Sequence, residues 1–173
     1  GLIDQILLQG DDSMLYQSLV AENAVTSGIW GGVNALGNMF NYNGPMLWSV
    51  AMIHEPTHDA TAITGLLDEK VSLLQSSPLP QSVIDIARVK LRSELYDTLE
   101  GNSGVGKVDL LACFALFDND PERINDIENQ FAKVTPELIQ RRAQKYLVKE
   151  TRTVFSLLPP QTETEQGLSP INT

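Results

Sequence analysis

Apolar residues recur at helical spacing from Leu2 to Leu8, and Gly10 follows as a natural C′ residue. Ser13 then stands where an N-cap belongs, ahead of MLYQSLVAE with Leu15, Leu19 and Val20 on one side. The pattern changes next to two uncharged, strand-like runs, AVTSGIWGGVNA and PMLWSVAMI, joined by the Gly- and Asn-rich LGNMFNYNG. Consecutive strands with a short connection predict an antiparallel pair. Trp30 and Trp48 sit one in each strand. They pack on a sheet face by default, and the uncharged pair equally suits the wall of a polypeptide-binding cavity.

Beyond His58 the helical period returns. ATAITGLLDEKVSLLQ carries Ile63, Leu66, Leu67, Val71 and Leu74 on one stripe, and SVIDIARVKLRSELYDTLE follows the break SSPLP. After GNSGVG, the run KVDLLACFALF predicts a buried helix. Asp120-Pro121 and Thr135-Pro136 each read as N-cap followed by proline at N1, opening two more helices. TRTVFSLL alternates and is β-branched at its start, which predicts a third strand ended by Pro159-Pro160. The expected class is α+β: an antiparallel sheet with strands near 24–35, 46–54 and 151–158, covered by several helices in a two-layer sandwich. One domain is expected over residues 1–160, followed by a polar, flexible tail over 161–173. Three strands are few for so many helices, so the sheet is expected to be completed by chain preceding Gly1.

Composition narrows the partners. The 173 residues carry a net charge of −10, which disfavours nucleic acid or an anionic membrane as partner. No arginine precedes Arg88, Lys70 is the only basic side chain before it, and no charged residue lies between Glu22 and Glu55. The single cysteine, Cys113, lies in an apolar run and reads as a buried, inert thiol. No apolar run reaches membrane-spanning length and no signal peptide opens the chain, while the compartment stays open.

The two histidines of the chain both fall in IHEPTHD, which spells His-Glu-x-x-His over His54, Glu55 and His58. In a zinc hydrolase this motif works because one helical turn puts both imidazoles on one face. Pro56 disfavours the helical conformation at Glu55. The better parse is a strand ending near Ile53, a turn, and a helix opening at Pro56, with His54 outside it and His58 in its first turn. No third ligand is evident, so His54, Glu55 and His58 are read as a decoy rather than a metal site. Gly101 to Lys107 imitates a phosphate-binding loop, but Val108 replaces the magnesium-binding Ser or Thr and the segment follows a helix. GNSGV also fails the Gly-x-Ser-x-Gly pattern at Val105. Asp118, Asp120, Glu122, Asp126 and Glu128 lack calcium-loop spacing and read as a cap and a solvated face.

Several stretches together resemble one family. ILLQGDDSMLYQSLVAE resembles the helix–Gly–Ser-x-Leu-Tyr–helix segment of the pitrilysin family of zinc metallopeptidases, which includes insulin-degrading enzyme and the mitochondrial processing peptidase. VTPELIQRRAQKYLVKETRTVFSLLPP is similar to the family's closing segment, and the strand pair, the long helix and PLPQSVIDIARVKL fall between them in the family's order. The resemblance spans roughly Leu2 to Pro160. It implies duplicated α+β domains enclosing a peptide, with zinc held by an inverted His-x-x-Glu-His motif whose glutamate is the general base. That motif is absent from this chain. The resemblance therefore implies a non-catalytic, C-terminal-type domain, with zinc in a catalytic domain or subunit elsewhere and a polypeptide as substrate. The alternative is a scaffold paralogue without peptidase activity. A third hypothesis is autonomous zinc hydrolysis through His54 and His58. Some such domains lend an arginine and, seven residues on, a tyrosine to the partner's active site. Here those positions read Val20 and Ser27, which puts such assistance in doubt.

Overall fold

The structure is a computed structural model that describes residues 1–34, 39–101 and 105–157. Helix α1, Leu2–Leu7, is capped at Leu8 rather than just before Gly10; Gly10, two residues further on, adopts φ +80°, a left-handed conformation that suits glycine. Helix α2, Met14–Tyr16, has Ser13 at its N-cap in extended conformation. The Ser13 side chain makes no capping bond and its buried hydroxyl lacks a partner. From Gln17–Glu22 the helix widens into a π turn. Asn23 closes it, with its backbone N–H on the Ser18 carbonyl at 3.2 Å and its side-chain amide on the same oxygen at 2.7 Å. The wide turn lets the adjacent residues Ser18 and Leu19 both be buried, which a regular helical stripe does not predict.

Strands β1, Thr26–Val33, and β2, Trp48–His54, form the antiparallel pair expected from the uncharged runs. Thr26 lies opposite His54, Trp30 opposite Ala51 and Val33 opposite Trp48, with a bulge between Thr26 and Ile29. Gly31 is obligatory: its φ is +137°, and an added Cβ would stand 2.1 Å from the Ser49 carbonyl oxygen. Ile29, Trp48, Val50 and Met52 turn inward.

Four further helices complete the core-forming set: α3, Ala60–Ser76; α4, Gln81–Glu100; α5, Val105–Asp118; and α7, Pro136–Tyr146, preceded by the short α6, Ile127–Ala132. Leu7, Leu15, Leu19, Leu74 and Ile84 form the fully buried centre under the sheet. A second cluster of Leu95, Leu110, Phe114 and Ile127 lies between α4, α5 and α6, where Phe40 meets Phe114 edge-on at 5.4 Å. Arg88 ties the elements together: its Nε and Nη2 donate to the carbonyls of Phe131 and Val134 at 3.2 and 2.6 Å just past the end of α6, where the Phe131 carbonyl also accepts the Val134 N–H at 3.2 Å.

Three expectations need correction. Residues 152–157 form no strand, although Arg152 is extended and Val154, Phe155 and Leu157 are exposed; β1 pairs only with β2, so the alternating segment has no ladder to join among the described residues. Helix α3 opens at Ala60 rather than Pro56, because Asp59 supplies a capping carboxylate that accepts from Ala62 N–H at 2.7 Å. His58 therefore precedes the helix. Helix α5 buries one face only: Leu110, Cys113 and Phe114 are covered, whereas Val108 and Leu116 are exposed. The α+β architecture, a sheet packed against helices, stands. The proposed tail 161–173 and Asn102 to Gly104 of the loop lie outside the described residues.

Candidate functional site

The residues singled out by their chemistry meet, in part, at one end of the β1–β2 pair. Ala24 to Ser27 and Ile53 to Glu55 line a shallow depression of about 350 Å³. Ala24 enters it with φ +47°, turning the chain out of the π turn and into β1. Thr26 holds the corner. Its buried hydroxyl donates to the Ile53 carbonyl at 2.6 Å and accepts from Gly28 N–H at 3.3 Å. Ser27, beside the bulge, is exposed, and Val20 lies on the π turn outside the depression. Neither side chain can supply a charge or a phenol.

His54 ends β2, with Nδ1 2.9 Å from the Glu55 carbonyl; a carbonyl only accepts, so Nδ1 carries the proton. Glu55-Pro56-Thr57 turns the chain, closed by His58 N–H on the Glu55 carbonyl at 3.1 Å. The two imidazoles thus flank a turn instead of sharing a helical face. Among the described residues no three His, Cys, Asp or Glu side chains gather where they could hold a metal ion. The turn does not fit zinc in the geometry the motif requires.

The outward face of the sheet continues from this corner. Trp30, Ser49, Ala51 and Ile53 line it, with Trp30 53% and Ile53 79% exposed and no charged residue along either strand. Such a face can hold polypeptide by apolar contact, and the Trp30 ring supplies area at small entropic cost. A charged centre that could polarise a scissile carbonyl is absent from it.

At the opposite end of the sheet lies a cleft of about 280 Å³ lined by Asp4, Gln9, Gly32, Glu94 and Leu110. Sequence reasoning missed it. Its carboxylates, Asp4 on α1 and Glu94 on α4, are held by long-range bonds: Trp48 Nε1 donates to Asp4 Oδ1 at 2.8 Å, and Gln5 Nε2 to Glu94 Oε2 at 2.6 Å. The one available signal was Trp48 itself, whose indole N–H needs an acceptor when packed against a core. Partial burial, and then the negative charge of Asp4, push the Glu94 carboxyl above its ordinary range. Asp118, Asp120, Asp126 and Glu128 are engaged locally: Asp118 pairs with Arg123 at 2.5 Å, Asp120 caps the turn at Glu122, Asp126 accepts from Asn129 at 2.9 Å and Glu128 meets Arg92 at 3.2 Å. The Cys113 thiol is buried, and burial, then Asp109, raise its pKa.

No protein-family model matches the chain, and no curated protein matches it significantly. Solved structures do. The inactive peptidase domain of a proposed zinc protease from Bordetella parapertussis superposes with a TM-score of 0.68 at 24% identity, over 88% of this chain and 78% of that one. A proposed zinc protease from Bordetella pertussis Tohama I gives 0.69 at 24% identity over 91% and 82%. A protease from Helicobacter pylori gives 0.67 at 19% identity over 85% of this chain and 33% of its own. The chain has the fold of these protease domains. It spans about a third of the Helicobacter pylori chain, so there the fold is one part of a longer polypeptide.

Proposed function

We propose that this chain is a non-catalytic domain of a pitrilysin-type zinc metallopeptidase. It would enclose and hold peptide for a zinc-bearing His-x-x-Glu-His domain that lies elsewhere in the parent polypeptide or in a partner subunit. The observation that carries the reading is the likeness in fold to an inactive peptidase domain, in a chain without His-x-x-Glu-His and with His54 and His58 on either side of a turn. The uncharged outward face with Trp30 and Ile53 supplies a wall on which extended peptide can lie. Bond cleavage would be the other domain's work; this chain's part is contact area and exclusion of water. At the positions of the family's arginine and tyrosine this chain has Val20 and Ser27, so on this reading it would lend neither side chain to a partner's active site.

The experiment is a tryptophan-fluorescence titration of the purified chain with casein, an unfolded polypeptide, alongside a cleavage assay on the same mixture. The reading predicts saturable binding, weakened in Trp30→Ala and Ile53→Ser, with casein left intact. Absence of binding would favour the scaffold alternative, and cleavage that depends on His54 and His58 would overturn both.

A further inference from the structure

The corner depression and the outward face of the sheet are joined through one side chain. Ile53 stands exposed on the face and also lines the depression, together with Ala24, Ser27, His54 and Glu55. A peptide extended along the face toward this end passes from an uncharged wall to a carboxylate. Among the described residues that carboxylate has no hydrogen bond or ion pair; only the Glu55 backbone carbonyl is occupied, by His54 Nδ1–H and His58 N–H. The carboxylates at the other end of the sheet are engaged, Asp4 by Trp48 and Gln9 and Glu94 by Gln5. No Lys or Arg lines the depression. Residues 35–38, 102–104 and 158–173, which lie outside the described residues, contain neither type.

We infer, on the reading of the face as a peptide wall, that the depression is a subsite for an arginine or lysine side chain of the bound peptide, with Glu55 as its counter-ion. Both parts of such a side chain are matched. Its methylene stem lies on Ile53 and Ala24, and its charged head reaches Glu55 while keeping contact with water. The neutral His54 ring gives its one N–H to the Glu55 carbonyl, so Nε2 is an acceptor and adds no charge against the cation. An acidic side chain is disfavoured here. It would face Glu55 in a chain of net charge −10 that has no basic residue before Lys70. A neutral one gains the apolar contact alone. Because the strands carry no charge, a cation finds its partner only at this corner, which fixes where the peptide sits along the wall. The substrate class is therefore peptide in which a basic residue adjoins apolar ones.

Tryptophan-fluorescence titration of the full chain with a matched pair of peptides tests this. Both are short, capped at each end and built of leucine and serine. One carries a central arginine and the other citrulline, its uncharged isostere. The arginine peptide is expected to bind about three- to fivefold more tightly, the range of a solvent-exposed ion pair. Glu55→Gln should make the two affinities equal. Glu100→Gln, the same charge change at the exposed end of α4, should keep the preference. Equal affinities in the wild type, a preference that survives Glu55→Gln, or one lost as fully in Glu100→Gln overturns the subsite and leaves the peptide wall standing. Failure of both peptides to bind overturns the wall and the subsite together.

Discussion

Thr26 and His54 face each other at the last rung of the β1–β2 ladder, and the Thr26 hydroxyl donates to the neighbouring Ile53 carbonyl at 2.6 Å. This bond holds together the two corners that the sequence made chemically conspicuous. Thr26→Val keeps the shape and deletes both the donor for Ile53 and the acceptor for Gly28, at a cost of about 1–3 kcal/mol. Thr26→Ser should retain most of the stability. Urea denaturation of the two variants checks this; equal stability would show that the corner does not depend on the hydroxyl.

Asp68 anchors the start of the C-terminal segment through Arg152 at 2.5 Å and Lys149 at 2.9 Å. Burial opposes its ionisation, but the hydrogen bonds and charges of Arg152 and Lys149 prevail and hold the carboxyl below its ordinary range. A depressed acid stabilises the fold above its unfolded pKa, about 3.9, and loses that contribution as pH falls through the lower folded value. Asp68→Asn should therefore cost on the order of 1 kcal/mol at pH 7 and flatten the acid limb below about pH 4. Limited proteolysis near residues 152–157 should accelerate in the variant; unchanged cleavage would contradict the anchoring.

The strand pair and the helices α3, α4 and α7 were legible in the sequence because their signals are local: alternation, a 3.6-residue stripe, and Thr135-Pro136, where the Thr135 hydroxyl accepts from Leu138 N–H at 3.3 Å. Where two local signals competed, the stronger cap won. Pro56 and Asp59 both begin helices, and Asp59 offers a carboxylate to orphan N–H groups, which moved His58 outside α3. TRTVFSLL shows the limit of alternation, because a strand exists only when another strand accepts its hydrogen bonds. The Asp4–Trp48 and Gln5–Glu94 contacts, 44 and 89 residues apart, left no periodic trace. The likeness to peptidase domains was legible through the order of motifs, while the depression shared by Ser27 and His54 required the register.

Glu94 behaves oppositely to Asp68. Burial, then Asp4, disfavour its charge, against weaker help from the Gln5 side-chain amide. An acid with a raised folded pKa leaves stability full below its unfolded value and reduces it as pH rises through the folded one. Glu94→Gln keeps an acceptor for Gln5 and removes the penalty. Thermal melts should show the variant stabilised at pH 8 and equal to wild type at pH 4. A lower melting temperature at pH 8 would refute the burial argument.

Arg88 secures the end of α6 through the carbonyls of Phe131, Ala132 and Val134. Arg88→Met preserves much of the side-chain length but takes the donor from the part-buried Val134 carbonyl, costing about 1–3 kcal/mol, while the Phe131 carbonyl keeps the Val134 N–H. Hydrogen exchange should rise first in residues 127–134. A uniform rise across the chain, or none, would mean that the guanidinium does not organise this end.

The central claim is that the chain carries no zinc chemistry of its own. Elemental analysis of the purified chain, equilibrated with zinc and dialysed, tests it most directly beside His54→Ala/His58→Ala. The account predicts substoichiometric zinc that is the same in both proteins. One zinc per chain, lost in the double variant, would contradict it.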